Sequence, residues 1–316
     1  MAEETRRLAA IDIGTVTVRL LVADVSRDAI VEVERSTDIT HVGEGLTVTG
    51  RLSDEAMDRV ADVMARYAAR MGELGVEAHR AIATSASRDA ANGEEFLGRL
   101  EAAGVRPEIV SGDREASLSF EGAAYSFPGK GLLVVDVGGG STELILGDSR
   151  VRGGVRSAQV EQARSVDVGS RRLTEMFLRS DPPAPAELDE AWAYAVSEIR
   201  PFFDAARERA SAMISLAGTA TTLSAIQMGL AEYDSALVHG SMLAGSDLSE
   251  MVDMLSSLPL AERMQVPGLH PGRAPVIVAG TIILATALSL AGLDSTRVSE
   301  HDILYGILLD TFGQRQ

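Results

Sequence analysis

Apolar positions along the chain follow two periods in turn. Continuous runs of five to eight residues, ending at Asp, Gly, Ser or Thr, read as buried strands, and longer segments repeating every three to four residues read as helices. "SDEAMDRVADVMARYAARMGELG" (53–75) predicts an amphipathic helix with a serine cap and a glycine stop. "HRAIATSAS" reads as a strand entering a polar turn, "EEFLGRLEAAG" as a helix, "PEIVSG" as a strand and "DREASLSFEGAAYS" as a helix starting at a Ser-Gly turn. Later come a helix near 170–180, the loop "SDPPAPAE", a long helix near 186–210, and "AMISLAGTATTLSAI", an apolar strand, a Gly-Thr turn and a helix. Alternating strands and helices imply an α/β fold.

Two of the strand patterns are versions of one another. "LAAIDIGTVTVRLLVAD" (8–24) and "LLVVDVGGGSTELILGD" (132–148) align without a gap at an offset of 124. Asp12 meets Asp136, Gly14 meets Gly138, Thr17 meets Ser141 and Arg19 meets Glu143. Each reads as strand, tight turn, strand, and the unbroken register predicts a duplicated domain plan. The expected division is 1–123 and 124–299, with a last helix, about 300–316, packing back on the first domain.

Composition narrows the partners. The 316 residues carry 29 Lys plus Arg against 46 Asp plus Glu, a net charge of −17, which argues against nucleic acid as a main partner. A small polyanion remains possible where arginines concentrate locally. There is no cysteine, so no disulfide, thiolate metal site or cysteine nucleophile. The uncharged stretch Ala274 to Leu293 approaches the length of a membrane span. Pro275, Gly280, Thr281, Thr286 and Ser289 make a buried helix the better reading, and the expected location is the cytoplasm, with no membrane partner.

Three Gly/Ser/Thr turns after apolar strands suit phosphate. Glycine lets backbone N–H groups approach an anion, and hydroxyls add donors. At Ala217-Gly218-Thr219 the turn opens a helix, whose positive end also favours an anion. A P-loop is excluded, since Lys130, the one lysine, follows no such glycines. Asp136 and Glu143 flank the triple-glycine turn, and paired carboxylates beside phosphate oxygens are what Mg²⁺ uses. Glu115, in the first turn after Ser111-Gly112, offers a base, although acidic residues there also simply complement the helix dipole. His301-Asp302 is an isolated dipeptide and is not read as a metal dyad.

"AIDIGTVTVRL", "ATSASRDAAN", "VSGDREASLSFEGA", "VVDVGGGSTEL" and "AGTATTLSAI", in that order, resemble the exopolyphosphatase/guanosine pentaphosphate phosphatase (Ppx/GppA) family, in its short two-domain form. The resemblance implies two duplicated actin-like domains with a cleft between them. It makes Glu115 the residue that activates water, and Asp136 and Glu143 the ligands of Mg²⁺ or Mn²⁺. Arg88, Thr15, Gly138, Gly139, Gly140, Ser141, Gly218 and Thr219 become phosphate contacts. Two positions depart from the family pattern. The first turn has Val16 where asparagine is usual, and Arg114 replaces the first glutamate of the SGxEEA motif. Arg114 either adds a phosphate contact or weakens Glu115 as a base.

The expected activity is metal-dependent removal of the terminal phosphate of inorganic polyphosphate. Guanosine pentaphosphate is the alternative substrate, a non-catalytic sensor of polyphosphate or an alarmone is the alternative of another class, and a kinase is a weak fourth. A homodimer is compatible with all of them.

Overall fold

The computed structural model describes residues 5–152, 155–205 and 210–313. They hold eleven strands: β1 (Arg6–Ile13), β2 (Thr17–Val25), β3 (Ile30–Ile39), β4 (Ala78–Ala83), β5 (Pro107–Ile109), β6 (Gly129–Val137), β7 (Thr142–Arg152), β8 (Val155–Val166), β9 (Ala212–Leu216), β10 (Met242–Ala244) and β11 (Ser295–Val298). The chain divides into two compact units. One comprises Met1–Ser126, Arg150–Ala158 and Asp302–Gln316; the other comprises Phe127–Ser149 and Gln159–His301.

In the first unit the strand order is β3-β2-β1-β4-β5. β1 runs antiparallel to β2 and parallel to β4. Residues 8 to 13 are all buried because helices cover both faces of β1. Ala9, Ile11 and Ile13 pack with Met57, Val60 and Met64 of helix Asp54–Glu73 and with Phe96 and Leu100 of helix Gly93–Ala102. Leu8 and Ala10 face the other way, toward Leu118 of helix Gly112–Ser126 and Ile303, Leu304 and Ile307 of helix Ile303–Gly313. The strand period of two therefore puts Asp12 on the face that receives this last helix. Ser53 caps helix Asp54–Glu73 by accepting from the Ala56 amide at 3.2 Å.

The second unit has the order β10-β11-β9-β6-β7-β8. β6 runs antiparallel to β7 and parallel to β9. Leu133, Val135 and Val137 pack with Ala191, Ala195 and Ile199 of helix Pro185–Ala205 and with helix Ile277–Ala291, so Asp136 lies on the opposite face of β6. The register reproduces the sequence repeat: Asp12 pairs with Arg19, and Asp136 pairs with Glu143. β4 lies beside β1 as β9 lies beside β6, each followed at once by a helix.

Some expectations change. The polar turn after β4 is a short helix, Ser85–Asp89, whereas Gly218-Thr219 opens helix Ala217–Gln227 as expected. The long helix runs over Pro185–Ala205, and 206–209, part of its expected end, lie outside the described residues. β3, β8, β10 and β11 had no clear signal: β3 is an edge strand with polar residues on both faces, and β10 and β11 are only three and four residues long. The apolar stretch forms the buried helix Ile277–Ala291, and among the described residues no helix is long and apolar enough to cross a membrane.

Helix Ile303–Gly313 reaches helix Gly112–Ser126 through glycine. A Cβ on Gly306 would fall inside contact distance of the Leu118 carbonyl, so the backbones touch there. Gly306→Ala should destabilise the protein by about 2 kcal/mol, the usual cost of an overpacked contact, even though alanine favours helix. A thermal melt checks this: an unchanged or raised midpoint would show that the helices can part without loss.

Candidate active site

The triple-glycine turn of the second unit is closed by the Gly138 amide donating to the Ser141 carbonyl at 3.0 Å. Its carbonyls are then taken up by the start of helix Ser170–Phe177. The Ser170 amide donates to Gly138 O at 2.8 Å, the Arg171 and Arg172 amides to Gly139 O at 2.9 and 3.1 Å, and Arg172 Nε to Gly140 O at 2.8 Å. In a trans peptide the C=O and the following N–H point in opposite directions. Carbonyls 138 to 140 turned toward the helix therefore turn the amides of Gly139, Gly140 and Ser141 away from it. Three successive N–H groups on one side of a glycine turn form an anion-binding concavity. The approach of helix and turn is so close that a Cβ on Gly169 would strike the Gly139 and Gly140 backbones.

Beside this turn stand the two carboxylates. Directly opposed residues in an antiparallel pair project to the same face, so Asp136 and Glu143 are side-by-side neighbours. They are 7% and 1% exposed, so they are not a solvated surface pair. Glu143 Oε1 accepts from Ser141 Oγ at 2.8 Å and Ser165 Oγ at 2.7 Å, which fixes its rotamer. Among the described residues no group of three or more His, Asp or Glu gathers as a metal cluster. A donor set of two carboxylates fits a cation such as Mg²⁺, which binds one or two carboxylates and takes its remaining ligands from water and substrate phosphates.

The equivalent pair in the first unit has different chemistry. Asp12 faces Arg19, whose Nη2 lies 2.6 Å from Asp12 Oδ2 and which also pairs with Asp302. Burial holds the Asp12 carboxyl above its usual range, with Arg19 pulling in the other direction. One hairpin thus carries an aspartate paired with arginine and its duplicate two neighbouring carboxyl groups. Asp302, committed to Arg19 and to capping the Leu304 amide at 3.0 Å, belongs to helix anchoring.

Gly218 and Thr219 open helix Ala217–Gln227, whose N-terminus has no side-chain cap. Ala217 holds a φ of 60°, a conformation that costs a non-glycine residue of order 1 kcal/mol and is common at functional turns. Thr219 Oγ1 reaches the Val137 carbonyl at 3.4 Å, tying this turn to the triple-glycine turn. Thr84 Oγ1 makes the duplicate contact, with the Ile13 carbonyl at 3.4 Å, in the first unit. Arg273 Nη1 lies over the Gly218 turn, donating to Gly218 O at 2.6 Å and Thr222 Oγ1 at 2.9 Å.

In the first unit, Thr15 is buried in the β1–β2 turn, where its carbonyl accepts from the Gly43 amide at 3.0 Å. The adjacent Val16 is buried, and its carbonyl takes the Thr40 and His41 amides, both at 2.9 Å. Arg88 and Glu115 come together: Arg88 Nη1 is 3.2 Å from Glu115 Oε2 and 3.0 Å from the Val110 carbonyl. Glu115 is 7% exposed, in the first turn of its helix. Arg114, one residue earlier, points round the helix to Asp310 at 2.6 Å, where Arg80 also pairs.

The Ppx/GppA phosphatase family matches residues 21–313. The chain belongs to this family. It is 39% identical to exopolyphosphatase 2 of Mycobacterium tuberculosis, over 97% of this chain and 99% of that protein. It superimposes on the crystal structure of an exopolyphosphatase-like protein with TM-score 0.89 and 36% identity, covering 98% and 99% of the two chains. The Ppx/GppA protein of Aquifex aeolicus gives TM-score 0.81 at 29% identity over 99% of each chain. The two units accordingly repeat one α/β plan, each with a hairpin whose first strand is flanked by a parallel strand.

Gly169, Ser170, Arg172, Ser165 and Arg273 were not singled out by the sequence. "VGS" at 168–170 is an ordinary Gly-Ser signal, and nothing local shows that it meets a turn thirty residues earlier. Gly169→Ala should push helix Ser170–Phe177 off the carbonyls and rotate the turn amides. Tripolyphosphate affinity, measured by calorimetry, should fall roughly tenfold, since hydrogen bonds to a charged group are typically worth ~1.5–3 kcal/mol each. Wild-type affinity in this variant would show that the helix does not orient the turn.

Proposed function

We propose that the chain is an exopolyphosphatase, hydrolysing the terminal phosphoanhydride bond of inorganic polyphosphate. The observation that carries this reading is the inverted triple-glycine turn, with its amides directed outward beside the buried Asp136–Glu143 pair. Its relatives named exopolyphosphatase support the substrate.

In this reading the amides of Gly139, Gly140 and Ser141 hold phosphate oxygens, and the uncapped turn at Gly218 and Thr219 holds another phosphate of the chain. In the first unit, Arg88 and Thr15 are the candidate phosphate contacts. Ppx/GppA phosphatases are generally divalent-metal dependent. Asp136 and Glu143 would hold Mg²⁺ or Mn²⁺, which offsets charge on the phosphoryl oxygens. Glu115 accepts the proton of the attacking water as its oxygen bonds to the terminal phosphorus. The bridging P–O bond breaks, and the electron pair leaves with the shortened chain. Arg88 holds the Glu115 carboxylate in one rotamer, and so aims the base. Arg114, occupied with Asp310, contributes to the packing of that helix rather than to the phosphate. We place the enzyme in the cytoplasm on the composition of the chain.

Phosphate release from short polyphosphate, long polyphosphate and guanosine pentaphosphate, side by side, tests the substrate. Polyphosphate should be the best of the three. Faster release from guanosine pentaphosphate would reassign the activity, and tight binding without release from any would make the protein a sensor.

Glu115→Gln should keep polyphosphate binding and lower kcat by ~10²–10⁴-fold, the usual cost of losing a general base. Equal turnover would remove Glu115 from the mechanism.

Asp136→Asn should abolish the stimulation of activity by added Mg²⁺ or Mn²⁺. A metal titration that matches wild type would place the ion elsewhere.

A further inference from the structure

Arg263 is a buried cation with an unusual set of partners. It is 4% exposed, at the end of the short helix Leu260–Arg263. Its Nε donates to the Leu255 carbonyl at 2.8 Å, Nη2 to the Leu258 carbonyl at 2.8 Å and Nη1 to the Ala274 carbonyl at 3.3 Å. Its nearest carboxylate, Asp181, is 4.0 Å away and half exposed. Burying a guanidinium against carbonyl dipoles costs desolvation that a leucine would not incur. What an arginine adds is a rigid planar fork that ties separate backbone segments at fixed distances. The segments here are the end of helix Gly245–Ser257 with the residue after it, and the peptide at Ala274.

Ala274 directly follows Arg273. The Arg273 backbone is held by its own amide, which donates to His270 O at 2.8 Å, and by the Ala274 carbonyl bound to Arg263. From that position its guanidinium reaches Gly218 O and Thr222 Oγ1. The fit is close: a Cβ on Gly218 would strike the guanidinium. A shift of an ångström at Ala274 would therefore move the Arg273 charge off the turn.

We propose that Arg263 is a positioning residue for substrate binding: it fixes the backbone at Ala274 so that Arg273 sets the position and charge of the Gly218–Thr219 turn. The proposal rests on that turn being a phosphate subsite, as in the function proposed above. Arg263 touches no substrate, and its effect passes wholly through Arg273.

A double-mutant cycle tests this, with kcat and KM for polyphosphate, tripolyphosphate affinity by calorimetry and the melting midpoint read on each protein. Arg263→Lys keeps the charge and loses the fork. It should raise KM and weaken tripolyphosphate binding roughly tenfold with kcat within about twofold of wild type, the pattern of lost uniform binding. Arg273→Gln should do the same, and adding Arg263→Lys to it should change neither constant by more than about twofold. Arg263→Met, of similar length, is measured alongside. An additive double mutant, or a folded Arg263→Lys with wild-type KM, would overturn the proposal. So would failure of both Arg263 variants to fold, which would make the residue a general support of the unit. Wild-type protein that binds tripolyphosphate but releases no phosphate would sink the hydrolase reading alone, and the cycle would then be read on affinity. Wild-type protein that does not bind it would overturn both.

Discussion

A peptide unit cannot present its carbonyl and its amide to the same side, and the triple-glycine turn of the second unit depends on that constraint. The carbonyls of Gly138, Gly139 and Gly140 are consumed by the start of helix Ser170–Phe177 and by Arg172. The turn's donors are left facing the other way, already oriented before any anion arrives. Preorganised amides need no rearrangement when charge appears, which is where such sites gain over water. Glycine is needed at position 169 because a Cβ there would strike the Gly139 and Gly140 backbones.

The duplicated hairpin shows how one scaffold serves two purposes. In both copies the residue at the end of the first strand is aspartate, held in the same register against the second strand. Where Arg19 faces it, the pair is internally neutral and is spent on anchoring helix Ile303–Gly313 through Asp302. Where Glu143 faces it, two buried carboxyl groups share a face, and Glu143 accepts hydrogen bonds from Ser141 and Ser165. A single exchange of arginine for glutamate thus turns an internal ion pair into two adjacent carboxyl groups. The same economy appears at Thr84 and Thr219, whose hydroxyls make equivalent contacts with the strand-end carbonyls of Ile13 and Val137.

A net charge of −17 is an unfavourable background for a polyanionic substrate. Local arrangement compensates. Arg70, Arg99 and Arg35 are taken up by surface carboxylates, whereas Arg172 and Arg273 donate to the backbone carbonyls of Gly140 and Gly218. Helix and turn dipoles supply further positive potential without adding formal charge.

The sequence by itself determined the α/β class, the duplicated hairpin and most helices, because each is written in a local period or in an ungapped repeat. The glycine turns and the Asp136–Glu143 pair were legible as local signals at strand ends, whereas Glu115, in the first turn of a helix, was picked out only by the family resemblance. Tertiary structure decided the rest. Arg114 reads as a neighbour of Glu115, yet one residue along a helix is a rotation of about 100°, and the side chain went to Asp310. Arg88 and Glu115 meet across twenty-seven positions. Gly169 meets Gly139, and Arg273 meets Gly218, only because helices converge on the ends of one sheet. Edge strands β3 and β10 lack a two-sided core to impose a pattern, so their sequences carry little trace of them. Such contacts arise when burial brings distant segments together, and no window of adjacent residues records them.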